Sequence, residues 1–171
     1  MVIAGYILTV INYVFYCLSR FAKQKKTMLT MDIFAKICTV ASLLCFDSVT
    51  GAIVMGIAIP LLIISRYKET HELSKPALWS IFIIFNLIYI VSTIFTYNGI
   101  SSVLVTITAL LTLISIWWLK PQNMRLMGLI VCIIYLAYQI SIKNWAGLLE
   151  ILVIVANVAS WIIYKNKEKQ K

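Results

Sequence analysis

Residues 77–97 read ALWSIFIIFNLIYIVSTIFTY, twenty-one residues without an Asp, Glu, Lys or Arg. About 20 apolar residues cross the hydrocarbon core of a bilayer as a helix. Soluble strands and helices of that length carry polar faces, and this stretch has none that repeats. It is a membrane span, and it sets the class of the whole chain.

Working outward, similar runs recur from end to end. The reading places spans at 3–19, 28–46, 49–65, 77–97, 100–119, 126–142 and 146–164. The 171 residues are 62% hydrophobic and 12% charged, whereas a soluble domain is about half apolar and about a quarter charged. The connections are short and leave no room for a soluble domain. The first run has no basic residue before it, so it reads as a retained helix and not as a cleavable signal. The fold expectation is all-α, with seven transmembrane helices.

The net charge of +9 would suit a nucleic-acid binder, but its distribution speaks for orientation. Thirteen of the fifteen basic residues fall after the first, third and fifth spans and in the tail. They include Arg20, Lys68, Arg125, Lys165, Lys167, Lys169 and Lys171. The positive-inside rule then sets the N-terminus outside and the C-terminus in the cytoplasm. The expected partners are the lipid bilayer and a small-molecule solute, with no nucleic acid. A homo-oligomer is left open.

A shift of 96 residues aligns the two ends of the chain. Met28 meets Met124, Met31 meets Met127, and Thr50-Gly51 meets Ala146-Gly147. Asn12, Tyr16 and Ser19 meet Thr108, Thr112 and Ser115. Three spans per repeat is an odd number, so the span at 77–97 is needed to bring the second copy back to the same orientation. The expected organisation is a three-helix bundle over 1–75, a linker helix over 76–98, and a second bundle with a basic tail over 99–171.

No catalytic constellation appears, and the chain reads as a non-enzyme without cofactor or metal. The lone His71 lies in the loop RYKETHELSKP and reads as solvated. Cys17, Cys38, Cys45 and Cys132 lie inside spans without a CxxC pair and read as small buried residues. Ionisable and polar residues inside spans usually face a bundle interior or a watery cavity. The substrate-path candidates are Asn157 and Trp161 in the last span, Asn12 and Tyr16 in the first, Asn86 in the fourth, Thr108 and Thr112 in the fifth, and Tyr135 in the sixth. Tyr138 and Gln139 are weaker candidates. Three intramembrane charges stand out. Asp32 and Lys36, four apart, read either as an internally satisfied helical pair, with Lys36 reaching back toward cytoplasmic water, or as the charged cytoplasmic mouth of a solute path. Glu150 reads as interfacial. Pro60 is expected to kink the third span. Ala52 with Gly56, and Ala156 with Ser160, are expected to let helices approach closely.

Two stretches, GYILTVINYVFYCLSRFAKQKKTMLTMDIFAKICTVASLLCFDSVTGAIVMGIAIPLLIISRYK and ITALLTLISIWWLKPQNMRLMGLIVCIIYLAYQISIKNWAGLLEI, carry a family resemblance. The basic loop after the first helix, Thr50-Gly51-Ala52 and the WWLKPQNMR and NWAG runs are its most specific features. The chain resembles the YgjV-like bacterial inner-membrane proteins over nearly its whole length. That places it in the inner membrane and implies no activity. More distantly, the 3+1+3 layout and Pro121-Gln122 resemble the PQ-loop and SWEET-like transporters, which implies a solute path between two bundles. In SWEET-like proteins an asparagine of the last helix helps bind substrate, and Asn157 is similar to it in type and depth. The expected function is a small-solute transporter working by alternating access. The alternative is a non-transporting membrane protein, an immunity, accessory or assembly partner, whose polar residues pair among themselves around a closed, dry interior.

Overall fold

The computed structural model describes residues 2–169. Lys171 and the side chains of Lys167 and Lys169, part of the expected basic tail, lie outside the described residues. Among the described residues, seven helices are long and apolar enough to cross a membrane. They are α1 (Val2–Phe21), α2 (Lys25–Cys45), α3 (Val49–Lys68), α4 (Lys75–Phe95), α5 (Ile100–Trp118), α6 (Pro121–Ser141) and α7 (Glu150–Lys169). A 3-10 turn over Trp145–Leu149 leads into α7. Each helix has 19 to 21 residues, or about 30 Å, the thickness of the hydrocarbon core.

The helices extend beyond the expected spans mainly at the basic end. Pro121 opens α6 at a position where its missing N–H costs nothing, and Pro76 does the same for α4. Arg20, Lys68 and Arg125, read as loop charges, are therefore helical. Arg125 is 2% exposed. Helix α3 runs unbroken through Pro60.

The helices α1, α2, α3, α5, α6 and α7 form a closed ring in that order, with α7 returning to α1. Helix α4 packs chiefly on α3 and α5, outside the ring. It buries only Phe85 and Tyr89, while Ile83, Ile84, Leu87, Ile88 and Val91 face outward. In a bilayer such a surface meets lipid without penalty. The largest apolar cluster sits where α3, α4 and α5 meet, around Leu61, Phe85, Tyr89, Leu113 and Trp117.

Helices α2 and α6 end in the same way. Asp47 (φ 53°) and Lys143 (φ 57°) follow their C-caps in the left-handed region. The amide of Ser48 donates to Leu43 O and that of Asn144 to Gln139 O, both at 3.0 Å. This is the six-to-one bond of a Schellman cap, and it occurs twice, 96 residues apart. No glycine marks either end, so the sequence carried no signal for it.

Small residues work differently from the expectation. A Cβ on Gly56 would meet nothing within 4 Å, so this residue makes no close helix contact. The tight approach is at Gly51, where a Cβ would overlap Tyr138 Oη. Of the other expected small residues, Ala52, Ala156 and Ser160 are buried.

Candidate functional site

Helix periodicity turns Tyr16 and Arg20 of α1, Asp32 and Lys36 of α2, and Glu150, Val153 and Asn157 of α7 toward one interior space. The spacings of three, four and seven keep each set on one helix face. Thr108, Thr112 and Ser115 of α5 and Gly128, Cys132 and Tyr135 of α6 complete the wall, with Leu62 from α3. Every helix of the ring contributes, and α4 contributes none. The cavity has a volume of about 60 Å³, room for a few water molecules or a small solute.

Lys36 lies eleven residues into α2 from its basic end, about 16 Å deep at 1.5 Å per residue. It is 7% exposed and does not reach back to water. Its Nζ is 3.1 Å from Met55 Sδ, 5.3 Å from the Tyr16 ring centroid and 5.9 Å from that of Tyr135. The expected Asp32–Lys36 pair is not formed. Asp32 pairs with Arg20, whose Nη2 is 3.3 Å from both carboxylate oxygens. One turn of the neighbouring helix brings a fork-shaped donor closer than the lysine four residues along. Among the described residues no carboxylate oxygen lies within 4 Å of Lys36 Nζ.

Glu150 corrects a second expectation. It is 4% exposed, inside the bundle and not at the interface. The 3-10 turn ahead of it adds protein on the far side, and Tyr13 and Cys132 flank its carboxylate. Its Oε2 has no hydrogen-bond partner in the protein. The same holds for Tyr135 Oη, Asn157 Oδ1 and Arg20 Nε. Buried polar atoms are nearly always paired, so four orphans around one cavity set this place apart from the rest of the interior. The hydroxyls of Thr108 and Thr112 are committed to Leu104 O and Thr108 O at 2.8 and 2.7 Å, which leaves their oxygens to accept.

Three sequence candidates lie elsewhere. Asn12 is buried on α1 outside the cavity wall, with an orphan Oδ1. Asn86, on the outer helix α4, donates to Phe82 O at 2.8 Å. Trp161 is half-buried away from the cavity wall, under the Lys165 ammonium at 4.4 Å; its carbonyl accepts from Gln122 Nε2 at 2.7 Å. Tyr138 and Gln139 belong to the end remote from the basic loops, bonded to Ser48 Oγ at 2.8 Å and to Asn144 Nδ2 at 3.0 Å. His71 is exposed and stacks on Tyr67 at 3.9 Å. Arg20, Cys132 and Gly128 are among the wall residues that sequence reasoning missed. Arg20 was hidden among loop charges, and the other two carry no polar signal in a greasy span.

At the basic end two further contacts join neighbouring ring helices. Lys68 Nζ donates to Trp117 O at 2.5 Å, joining α3 to the end of α5. Tyr164 Oη donates to Phe21 O at 2.8 Å, joining α7 to the end of α1. Arg125 adds bonds to Arg20 O at 3.1 Å and Ala22 O at 2.8 Å.

A family model named Imp-YgjV and described as bacterial inner membrane protein matches residues 3–169. No curated protein and no solved structure matches the chain. Matched over nearly its full length and built of seven membrane-crossing helices, the chain belongs to the Imp-YgjV family of bacterial inner membrane proteins.

Proposed function

We propose that this protein is a small-solute transporter in which two three-helix bundles, α1–α3 and α5–α7, rock about the shared cavity. The N-terminus lies outside and the C-terminus in the cytoplasm, as the basic loops direct. No bond is made or broken in the solute, and no cofactor takes part. The observation that carries the reading is the cavity itself: enclosed by all six ring helices, near the middle of the span, with four orphaned polar atoms on its wall. A protein that served only as a docking partner would gain nothing from such a costly interior.

A repeat of 96 residues supports the mechanism. Helix α6 begins and ends 96 residues after α2. The Schellman caps at Asp47 and Lys143 are mates under the same shift. The bond from Lys68 to Trp117 becomes, under that shift with the halves exchanged, the bond from Tyr164 to Phe21. Tyr16, Arg20, Asp32 and Lys36 have Thr112, Ile116, Gly128 and Cys132 as mates, and all eight line the cavity. Parallel repeats about an axis along the membrane normal are a known transporter plan, with the site at their interface. Helix α4, outside the ring, is the linker that plan requires.

Cys132 gives a test that needs no known solute. With Cys17, Cys38 and Cys45 changed to Ser, Cys132 remains as the single thiol, in the cavity wall. Alternating access exposes it in turn to both membrane faces. A small membrane-impermeant methanethiosulfonate should therefore modify it from either side of reconstituted vesicles. Absence of modification from both sides, with the thiol reactive after denaturation, would sink the transport reading.

A further inference from the structure

Taking the cavity as a solute site, we infer that the solute is a small zwitterion, with a carboxylate and an ammonium group a few bonds apart, the size of the smallest amino acids. The charges on the wall decide this. Arg20 and Asp32 pair with each other at 3.3 Å. Lys36 and Glu150 remain, one of each sign, and neither has a charged partner within 4 Å. The thioether facing Lys36 is a weak acceptor, so the ammonium keeps N–H groups for a stronger one.

The remaining atoms fall into matching sets. Lys36 Nζ, Tyr135 Oη and the orphaned Nε of Arg20 can donate, and the Lys36 ammonium is 5.9 Å from the Tyr135 ring centroid. Glu150 Oε2 and Asn157 Oδ1 can only accept, and both come from one face of α7. Tyr164 sits level with the end of α1 through its bond to Phe21 O. Measured from there, Glu150 is about 21 Å deep, against about 16 Å for Lys36. Helical side chains lean toward their own N-termini. Helices α2 and α7 run in opposite directions, so the two charged groups lean apart and leave a gap between them.

A zwitterion in that gap places its carboxylate on Lys36 and Tyr135 and its ammonium on Glu150 and Asn157. A simple anion would bring no donor to Glu150 Oε2, a simple cation would leave Lys36 with the Met55 thioether alone, and a neutral polyol would bring no charge to either. An uncompensated buried charge is strongly unfavourable, so each wrong ligand is rejected by the group that it fails to meet. A cavity with room for a few water molecules favours a small solute in this conformation.

The test uses the full-length protein in lipid nanodiscs at fixed ionic strength. Glycine and β-alanine are compared with acetate, methylammonium and glycerol by calorimetric titration and by thermal unfolding. At least one zwitterion should bind saturably, with each half-molecule and glycerol about tenfold weaker or worse. Lys36→Met should weaken the zwitterion and narrow its lead over methylammonium; Glu150→Gln should narrow its lead over acetate. If acetate, methylammonium or glycerol binds as tightly as glycine and β-alanine, or neither zwitterion binds, the inference is overturned. The Cys132 accessibility assay is independent of any ligand. Modification from both faces with no zwitterion binding removes this inference alone, and absent modification removes the transport reading beneath it.

Discussion

Nη2 of Arg20 lies 3.3 Å from both carboxylate oxygens of Asp32, and the two side chains are only 11% and 6% exposed. The pair ties the last turn of α1 to α2 at the edge of the cavity. Removing one partner leaves the other charge buried, at a cost of about 3–5 kcal/mol. Asp32→Asn and Arg20→Met should each destabilise the protein by that order in detergent unfolding. The double variant should recover most of the loss, since no lone charge is left. Additive losses would mean that the two residues act separately.

Lys36 should behave in the opposite way. Its ammonium has aromatic faces and a sulfur for company and no carboxylate at contact distance. Lys36→Met keeps the length and drops a charge from the middle of the span, so stability should hold or rise by about 1 kcal/mol or more. Solute binding should fall by about tenfold or more. A stable variant with undiminished binding would remove Lys36 from the site. Equal loss of stability and binding would make it structural.

These two residues also mark what could be read from sequence. The seven spans were legible because length and apolar content alone decide them, and ALWSIFIIFNLIYIVSTIFTY is the plainest case. Leaving aside the weaker Tyr138 and Gln139, eight of the eleven site candidates reach the cavity wall, since most polar side chains within a span turn inward. Their pairing was not legible. Helical spacing made Lys36 the near partner of Asp32, and only the packing of α1 against α2 brings Arg20 closer. Glu150 was misplaced for a similar reason: counting residues from the span start could not show the 3-10 turn that covers it. Trp161 shares a spacing of four with Asn157, yet it lies off the cavity wall, against Lys165.

The glycines of α3 predict opposite responses to the same change. A Cβ at Gly51 would sit 1.9 Å from Tyr138 Oη, while one at Gly56 would meet nothing within 4 Å. Gly51→Ala should cost about 1–3 kcal/mol through overpacking, and Tyr138→Phe should relieve part of it. Gly56→Ala should stabilise by up to about 1 kcal/mol through helix propensity. Matched thermal unfolding of the variants checks both signs.

The caps at Asp47 and Lys143 share a left-handed backbone, at φ 53° and 57°. For a side chain with a Cβ that conformation costs roughly 1–2 kcal/mol, less for Asp. Lys143→Gly should therefore raise stability by about 1 kcal/mol, and Asp47→Gly by a smaller amount. If Lys143→Gly destabilises instead, the lysine has a role beyond ending α6.

The contacts at the basic end make the final prediction. Lys68 holds the carbonyl end of α5, and Tyr164 that of α1, across the two seams between the bundles. A cation at a helix C-terminus contributes about 0.3–1 kcal/mol, and up to about 2 in a partly buried setting. Lys68 also lies 4.7 Å from the Trp117 ring centroid, which adds to its hold. If the bundles rock as proposed, removing both contacts with Lys68→Met and Tyr164→Phe takes roughly 1–2 kcal/mol from the arrangement in which these helix ends are joined. A shift of 1.4 kcal/mol changes a two-state population about tenfold. With Cys132 as the single thiol, its modification from the basic face should speed up by about that factor. Modification from the opposite face should slow or stay constant, because only contacts at the basic end have been removed. Faster modification from both faces would report general loosening of the bundle, and an unchanged rate would mean that these contacts hold helices together without gating the cavity.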